Sequence, residues 1–148
     1  MRIKGTFLDE ISHDIPHQNW GEAEWDRDFG YMREAGIDTV ILIRCGYRRW
    51  QTFPSRVLTA EEGCYEPPVD KGGMNFWFGL YDSGKYWDRG EYEQEVALNK
   101  RVIDEAWSRY GHCKSFAGWC ISQECIRNTG KIVDLYASLG CYCKEVSG

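Results

Sequence analysis

The residues with the clearest chemical potential are charged side chains that follow short apolar runs. One such stretch is Ser115-Phe-Ala-Gly-Trp-Cys-Ile-Ser-Gln-Glu124. Phe116, Ala117, Trp119, Cys120 and Ile121 are apolar, and the run stops at Ser122-Gln123-Glu124. A parallel strand covered on both faces reads as a near-continuous apolar run. Parallel α/β folds keep their ligand sites at the carboxyl ends of strands. Glu124 is therefore expected at the rim of a sheet, pointing at whatever binds there. The plain alternative is a solvated Glu that merely ends a strand. Asp9-Glu10, Arg44 and Asp82 close three earlier runs in the same way. A carboxylate at such a place can give or take a proton, and a guanidinium can bind or balance a carboxylate. For Arg44 the competing role is a structural ion pair.

Other residue types carry less. His13 and His17 are four apart, which on a helix would suit a metal, but Pro16 argues against a helix there. No metal is expected. Seven cysteines are an odd number, and none forms a CxxC. Their spacings match no zinc site, and Cys45 and Cys120 fall in apolar runs, so buried free thiols are the expectation. There is no G-x-G-x-x-G and no G-x-x-x-x-G-K-[ST], so nucleotide binding has no support and no cofactor is expected.

The elements that must position these residues follow from periodicity. Ile3 to Ile11 reads as a first strand. Asn19 looks like an N-cap with Glu22 as its capping-box partner, and Trp25, Phe29 and Met32 follow at helical spacing until Gly36. Ile37-Asp-Thr-Val-Ile-Leu-Ile43 is a β-branched strand that runs into Arg44-Cys45-Gly46-Tyr47. Residues 48–73 read as an irregular excursion that replaces a full second helix, rich in aromatics and proline and cut off by Gly72-Gly73. Asn75 to Tyr81 is a third strand. Glu91 to Tyr110 is the best helix, with Tyr92, Val96, Asn99, Ile103, Ala106 and Tyr110 on one face and Glu91, Glu93, Glu95, Lys100, Arg101 and Asp104 mostly off it. The Ser115–Glu124 strand comes next. Gly130 to Lys144 then forms a helix with Ile132, Leu135, Tyr136 and Leu139 at 3.6 spacing. Four β/α units in series imply a parallel sheet in an α/β fold.

The totals bound the remaining choices. A chain of 148 residues fits one domain. Net charge is -5 with no basic block, so no nucleic-acid partner is expected. No apolar run approaches the ~20 residues of a membrane span, so no membrane partner is expected. Met1-Arg2-Ile3-Lys4 leads directly into the first strand, so no signal peptide is seen and a cytoplasmic location is the default.

With these stretches in view, the chain resembles a family of bacterial barrel proteins, domain of unknown function 4434, regarded as glycoside-hydrolase-like. The resemblance rests on Gly5-Thr-Phe-Leu-Asp-Glu-Ile-Ser-His-Asp-Ile-Pro-His-Gln-Asn-Trp-Gly21, Gly36 to Tyr47, Phe78-Gly-Leu-Tyr-Asp-Ser-Gly84 and Gly118 to Glu124. It implies the N-terminal half of a TIM (β/α)8 barrel, with about four strands and flanking helices. A full barrel takes about 250 residues. It also implies that Asp9, Glu10, Arg44, Tyr47, Asp82 and Glu124 share one face, with Gln123 a further candidate to bind substrate. In many retaining glycosidases of this fold the general acid/base is a Glu after the fourth strand, preceded by Asn. Here Glu124 is preceded by Gln123, a departure from that pattern.

The chemistry so implied is glycoside cleavage, with Glu124 as would-be general acid/base. A second carboxylate must stand about 5–5.5 Å away in a retaining enzyme, or about 6.5–9.5 Å in an inverting one. In the usual barrel glycosidase it follows the seventh strand, which is absent here, so Asp9, Glu10 or Asp82 would have to substitute. Trp20, Tyr47, Trp50, Tyr81, Tyr86 and Trp87 could stack on sugar faces or pack under the excursion. The alternative to an enzyme is a non-catalytic carbohydrate-binding piece, or a fragment that forms a homo-oligomer through its exposed sheet edges. A compact flavodoxin-like binding domain is a third reading, and the absent phosphate loop counts against it.

Overall fold

Apolar runs of four or five residues build the centre of the molecule. In the computed structural model, residues 2–11, 20–59, 67–125 and 130–148 are described. The His13/His17 pair, Pro16, the Asn19 cap and Cys64 lie outside the described residues. Strands β1 (Gly5–Leu8), β2 (Thr39–Leu42), β5 (Asn75–Gly79) and β7 (Phe116–Cys120) form one sheet in that order, every pair parallel. With its flanking helices this is an α/β fold, a partial barrel-like unit.

The strands are shorter than the apolar runs that announce them, for local reasons. β1 stops at Leu8 because the Asp9 side chain folds back, its Oδ1 accepting from the Ile11 N–H at 3.0 Å. This Asx turn bends the chain out of the ladder. β2 stops at Leu42 where the chain crosses Gly79. A Cβ on Gly79 would lie 2.2 Å from the Leu42 carbonyl oxygen and 2.6 Å from the Arg44 nitrogen, so only glycine lets Arg44 pass. The third run divides at Leu80. Tyr81–Asp82 (β6) leaves the main sheet and pairs with β3 (Gly46–Tyr47), which also pairs antiparallel with β4 (Trp50–Gln51). The excursion thus opens with a hairpin laid over the carboxyl end of the sheet. Its two-residue turn holds Arg48 at φ 54.

Helices cover one face of the sheet. Helix α1 (Glu22–Glu34) starts after Gly21, whose N–H donates to the Glu24 carboxylate at 3.0 Å, so the cap falls two residues beyond Asn19. It ends in a Schellman motif. The Ile37 N–H reaches the Met32 carbonyl at 2.9 Å, the Gly36 N–H reaches Arg33, and Gly36 sits at φ +87. Trp25 and Phe29 from α1 pack with Val40, Leu42, Phe76 and Phe78 of the sheet and with Val102 and Ala106 of α3 (Tyr92–Tyr110). Helix α4 (Gly130–Ser147) packs on α3 through Leu135, Leu139 and Cys143, around Ile103 and Leu80. A four-residue helix α2 (Lys85–Asp88) precedes α3.

Between β2 and β5 the described residues hold no helix. Instead the excursion is tied to α3: Glu105 accepts from the Ser55 hydroxyl at 2.6 Å and the Arg56 N–H at 2.7 Å, and Arg109 donates to the Pro54 carbonyl. Phe53, fully buried, fills the space beneath.

Two expectations need correction. The buried face of α3 is turned toward its acidic side, because Glu95 is fully buried together with Asn99, Val102, Ile103 and Ala106. The β7 strand is an edge rather than a strand covered on both faces, and Ala117 is exposed. The six described cysteines are free thiols, with Cys45 and Cys143 buried, Cys113 and Cys120 half-buried, and Cys125 and Cys141 exposed.

Candidate functional site

Because all four strands of the main sheet are parallel, the residues that follow them emerge at one end. Asp9 and Glu10 leave β1, Arg44 leaves β2 ahead of Tyr47 in β3, Asp82 lies in β6 just past β5, and Gln123-Glu124 leave β7. The structure ties several of them together. Arg44 Nη2 stands 3.6 Å from Glu124 Oε1, with the Arg44 side chain 18% exposed and that of Glu124 77% exposed. The Arg44 guanidinium lies over the Tyr47 ring at 5.3 Å, and Arg48 lies over the same ring at 5.0 Å. Asp82 is buried and accepts from the Gly84 N–H at 2.8 Å. Burial pushes its carboxyl above the usual range, against the pull of the Gly84 N–H and of Arg44.

Two of the aromatic candidates are held elsewhere. Trp20 is half-buried, edge-on to Trp25 at 5.0 Å, at the margin of the core. Trp87 packs on Tyr92 at 5.3 Å beside the α3–α4 cluster. Neither shares a described contact with the Arg44–Glu124 pair.

Behind the strand ends lies a polar network that the helical pattern did not foretell. Glu95 Oε1 accepts from the Ser83 N–H at 3.1 Å and from Gln123 Nε2 at 2.8 Å, and Glu95 Oε2 accepts from the Ser83 hydroxyl. Asn99, one turn on, takes the Tyr81 N–H at 2.9 Å and gives its amide to the Tyr81 carbonyl at 2.8 Å. Gln123 Nε2 also donates to the Tyr81 carbonyl at 2.7 Å, and the Tyr136 hydroxyl donates to the Gln123 carbonyl at 2.6 Å. The ends of β6 and β7 are thus pinned to α3 and α4. Burial, with Glu95 adding, pushes the Tyr81 phenol up to about 12, and its hydroxyl donates to the Arg48 carbonyl at 2.5 Å. The signal in the sequence was Asn99, an inward amide that needs partners, with Glu95 one turn before it.

Some buried polar atoms at this end have no hydrogen-bond partner among the described residues: both carboxylate oxygens of Glu10, Arg44 Nε and Gln123 Oε1. Glu10 is 1% exposed. Burial, with the Asp9 charge adding, pushes its carboxyl up to about 8 from 4.5. A group whose folded pKa is raised stabilises the fold fully below its unfolded pKa and loses that contribution as pH rises through the folded one. Stability is therefore expected to fall as pH climbs from 4.5 to 8. Glu10→Gln should flatten that slope in thermal midpoints taken across the range. An unchanged slope would mean another group sets it.

Among the described residues no cluster of three or more His, Cys, Asp or Glu is placed to hold a metal. Among the described residues no helix is long and apolar enough to cross a membrane. What the arrangement offers is an exposed carboxylate beside a guanidinium, two buried carboxyls raised by desolvation, and leftover donors and acceptors on three strand ends.

A family model described as "Domain of unknown function (DUF4434)" matches residues 3–147. No curated protein matches. Among solved structures the chain is similar to a crystal structure from Bacteroides thetaiotaomicron VPI-5482, of a protein provisionally named an alpha-L-fucosidase. The two are 54% identical with a TM-score of 0.82, over 99% of this chain and 48% of that one. The chain spans about half the length of that protein.

Proposed function

The chain belongs to the DUF4434 family of domains of unknown function, and from that premise we propose that it is a glycoside-hydrolase-like unit that takes carbohydrate at the carboxyl end of its parallel sheet. The observation that supports this most is the set of unsatisfied buried polar atoms at that end. Among the described residues Arg44 Nε is a donor without an acceptor, and Gln123 Oε1 is an acceptor without a donor. Buried polar atoms rarely stay unpaired in a finished site. A sugar carries hydroxyls that both donate and accept, the two kinds of partner that these atoms lack. The Tyr47 ring lies under the Arg44 and Arg48 guanidinium groups and so holds two cations at this rim. The similar Bacteroides protein, with its fucosidase name, points to the same ligand class.

In this reading Glu124 is the general acid/base. A glycosidic oxygen leaves easily only if it is protonated as the bond breaks, and an accessible carboxyl at the rim can reach it. Arg44 holds Glu124 in place, and Gln123, clamped by Glu95 and Tyr81, fixes the backbone before it. Asp82 binds sugar hydroxyls or balances Arg44, and Glu10, held largely uncharged by burial, offers a hydroxyl and a carbonyl rather than a charge.

The test is a panel of 4-nitrophenyl glycosides, with the α-L-fucoside among them, alongside titration of the parent sugars by tryptophan fluorescence. Hydrolysis or saturable binding of one sugar supports the reading. No response to any sugar at millimolar concentration would overturn it. The non-catalytic alternative has its own support, because the Asp82 carboxylate is already engaged by Gly84. Binding without hydrolysis would select it.

A further inference from the structure

The turn of the β3–β4 hairpin breaks a local rule. Where a two-residue turn needs a positive φ it ordinarily carries glycine, asparagine or aspartate. This turn is Arg48-Arg49, and Arg48 is the one residue other than glycine with a positive φ among the described residues. Such outliers persist where their surroundings hold them, and they concentrate at functional sites. The surroundings of Arg48 are specific. Its side chain lies along Gly84, where a Cβ would stand 2.7 Å from the Arg48 Cγ, and glycine, at φ +66, leaves it room. Its guanidinium lies over the Tyr47 ring at 5.0 Å and meets Asp88 at 3.4 Å, and its carbonyl accepts from the Tyr81 hydroxyl.

Held in this way, Arg48 helps to wall a cleft of about 520 Å³ between the turn and α2. Lys85 and Arg89 line it too, with Tyr81 and Ser83, which the Asn99 and Glu95 side chains clamp. Asp88 is the one carboxylate among the described lining residues, and Arg48 already engages it. Lys85 lies over the Tyr86 ring at 4.5 Å, and among the described residues neither Lys85 nor Arg89 pairs with a carboxylate. A second cleft of about 370 Å³ shares Ser83 and Lys85 and adds Arg101. The chain as a whole runs the other way, with 23 acidic side chains against 18 basic. A cleft that gathers cations on an acidic molecule concentrates its field on an anion.

We propose that this cleft is a subsite for an oxyanion group carried on a sugar, a sulfate or a carboxylate, so that the ligand of the strand-end site is an acidic glycan. The inference rests on the carbohydrate reading above. The Tyr47 ring links the two places, since Arg48 of the cleft and Arg44, the partner of Glu124, both lie over it. A guanidinium fork matches the paired oxygens of either group. At net charge -5 the molecule suits one anionic substituent better than a long polyanion.

The test is an array that presents many neutral glycans beside their sulfated and uronic acid forms, probed with the whole chain. Acidic forms should bind about 10-fold tighter than their neutral parents, the worth of one charge-assisted hydrogen bond. Salt at about 0.5 M should erase the difference. Lys85→Glu and Arg89→Glu should each erase it too and leave binding of the neutral parents. Lys144→Glu makes the same change of charge at an exposed place on α4 and should keep the preference. Arg48→Gly suits the positive φ, so it should fold as the parent does by far-ultraviolet spectrum and still lose the preference. The sulfated and uronic acid arms name the source of the anion. Equal binding of acidic and neutral forms overturns the inference and leaves the carbohydrate reading standing. So does a preference that survives all three cleft changes, or one that Lys144→Glu abolishes. Silence of every glycan, neutral and acidic, overturns the carbohydrate reading and this inference with it.

Discussion

Glu95→Ala is expected to cost about 3–5 kcal/mol of stability, because it leaves several buried donors without an acceptor. Those donors are the Ser83 N–H, the Ser83 hydroxyl and the Gln123 amide, and all converge on one fully buried carboxylate. Each orphaned group costs about 1–3 kcal/mol, and the losses overlap because the groups share a network. In a chain of this size that corresponds to a drop of roughly 10 °C or more in the thermal midpoint. Glu93→Ala is the natural comparison. It sits on the same helix but is exposed, and its change should stay within about 0.5 kcal/mol. If the two substitutions melt alike, Glu95 does not hold the strand ends. If they differ as expected, a milder loss should follow for Ser83→Ala, which removes one donor and leaves the carboxylate paired.

The second large effect is on rate. On the proposed reading of Glu124 as general acid/base, Glu124→Gln is expected to cut glycoside hydrolysis by about 10²–10⁴-fold, the usual contribution of such a group. The amide keeps the shape and cannot deliver a proton. The Glu124 side chain is 77% exposed and its ion pair with Arg44 is long at 3.6 Å, so the fold should not notice the change. The loss should fall on kcat with KM little altered, because the proton is needed in the transition state and not for binding. Steady-state kinetics on the parent and the variant, with melting curves of both, would decide it. A variant that keeps its rate would remove Glu124 from the chemistry.

The two substitutions also show what the sequence made legible. Glu124 was visible because an apolar run ended on it, and parallel strands send such ends to one rim. The same logic placed Asp9, Arg44 and Asp82. Gly36 was visible because a Schellman cap needs a positive φ, which glycine supplies. Glu95 was hidden because helical periodicity sorts residues by hydrophobicity, and a buried carboxylate contradicts the sort. Only its partners explain it, and Ser83 and Gln123 lie 12 and 28 positions away. The short strands were hidden for a related reason. An Asx turn at Asp9 and the close crossing at Gly79 are contacts, not propensities. The hairpin of Gly46–Tyr47 and Trp50–Gln51 was missed because two-residue strands carry no periodicity to read.

The free thiols described earlier turn the molecule into its own clock. Cys125 and Cys141 are exposed, so a soluble alkylating reagent should mark them in the folded state. Cys45 is fully buried at the end of β2, and burial drives its thiol far above the range where thiolate forms. Cys143, buried between α3 and α4, is pushed up to about 11. A reagent can reach these two only when the core opens. The rate at which they become labelled therefore counts opening events, of the α3–α4 seam for Cys143 and of the sheet itself for Cys45. One mass spectrum per time point would separate the loosening of a helix from the loss of the whole fold.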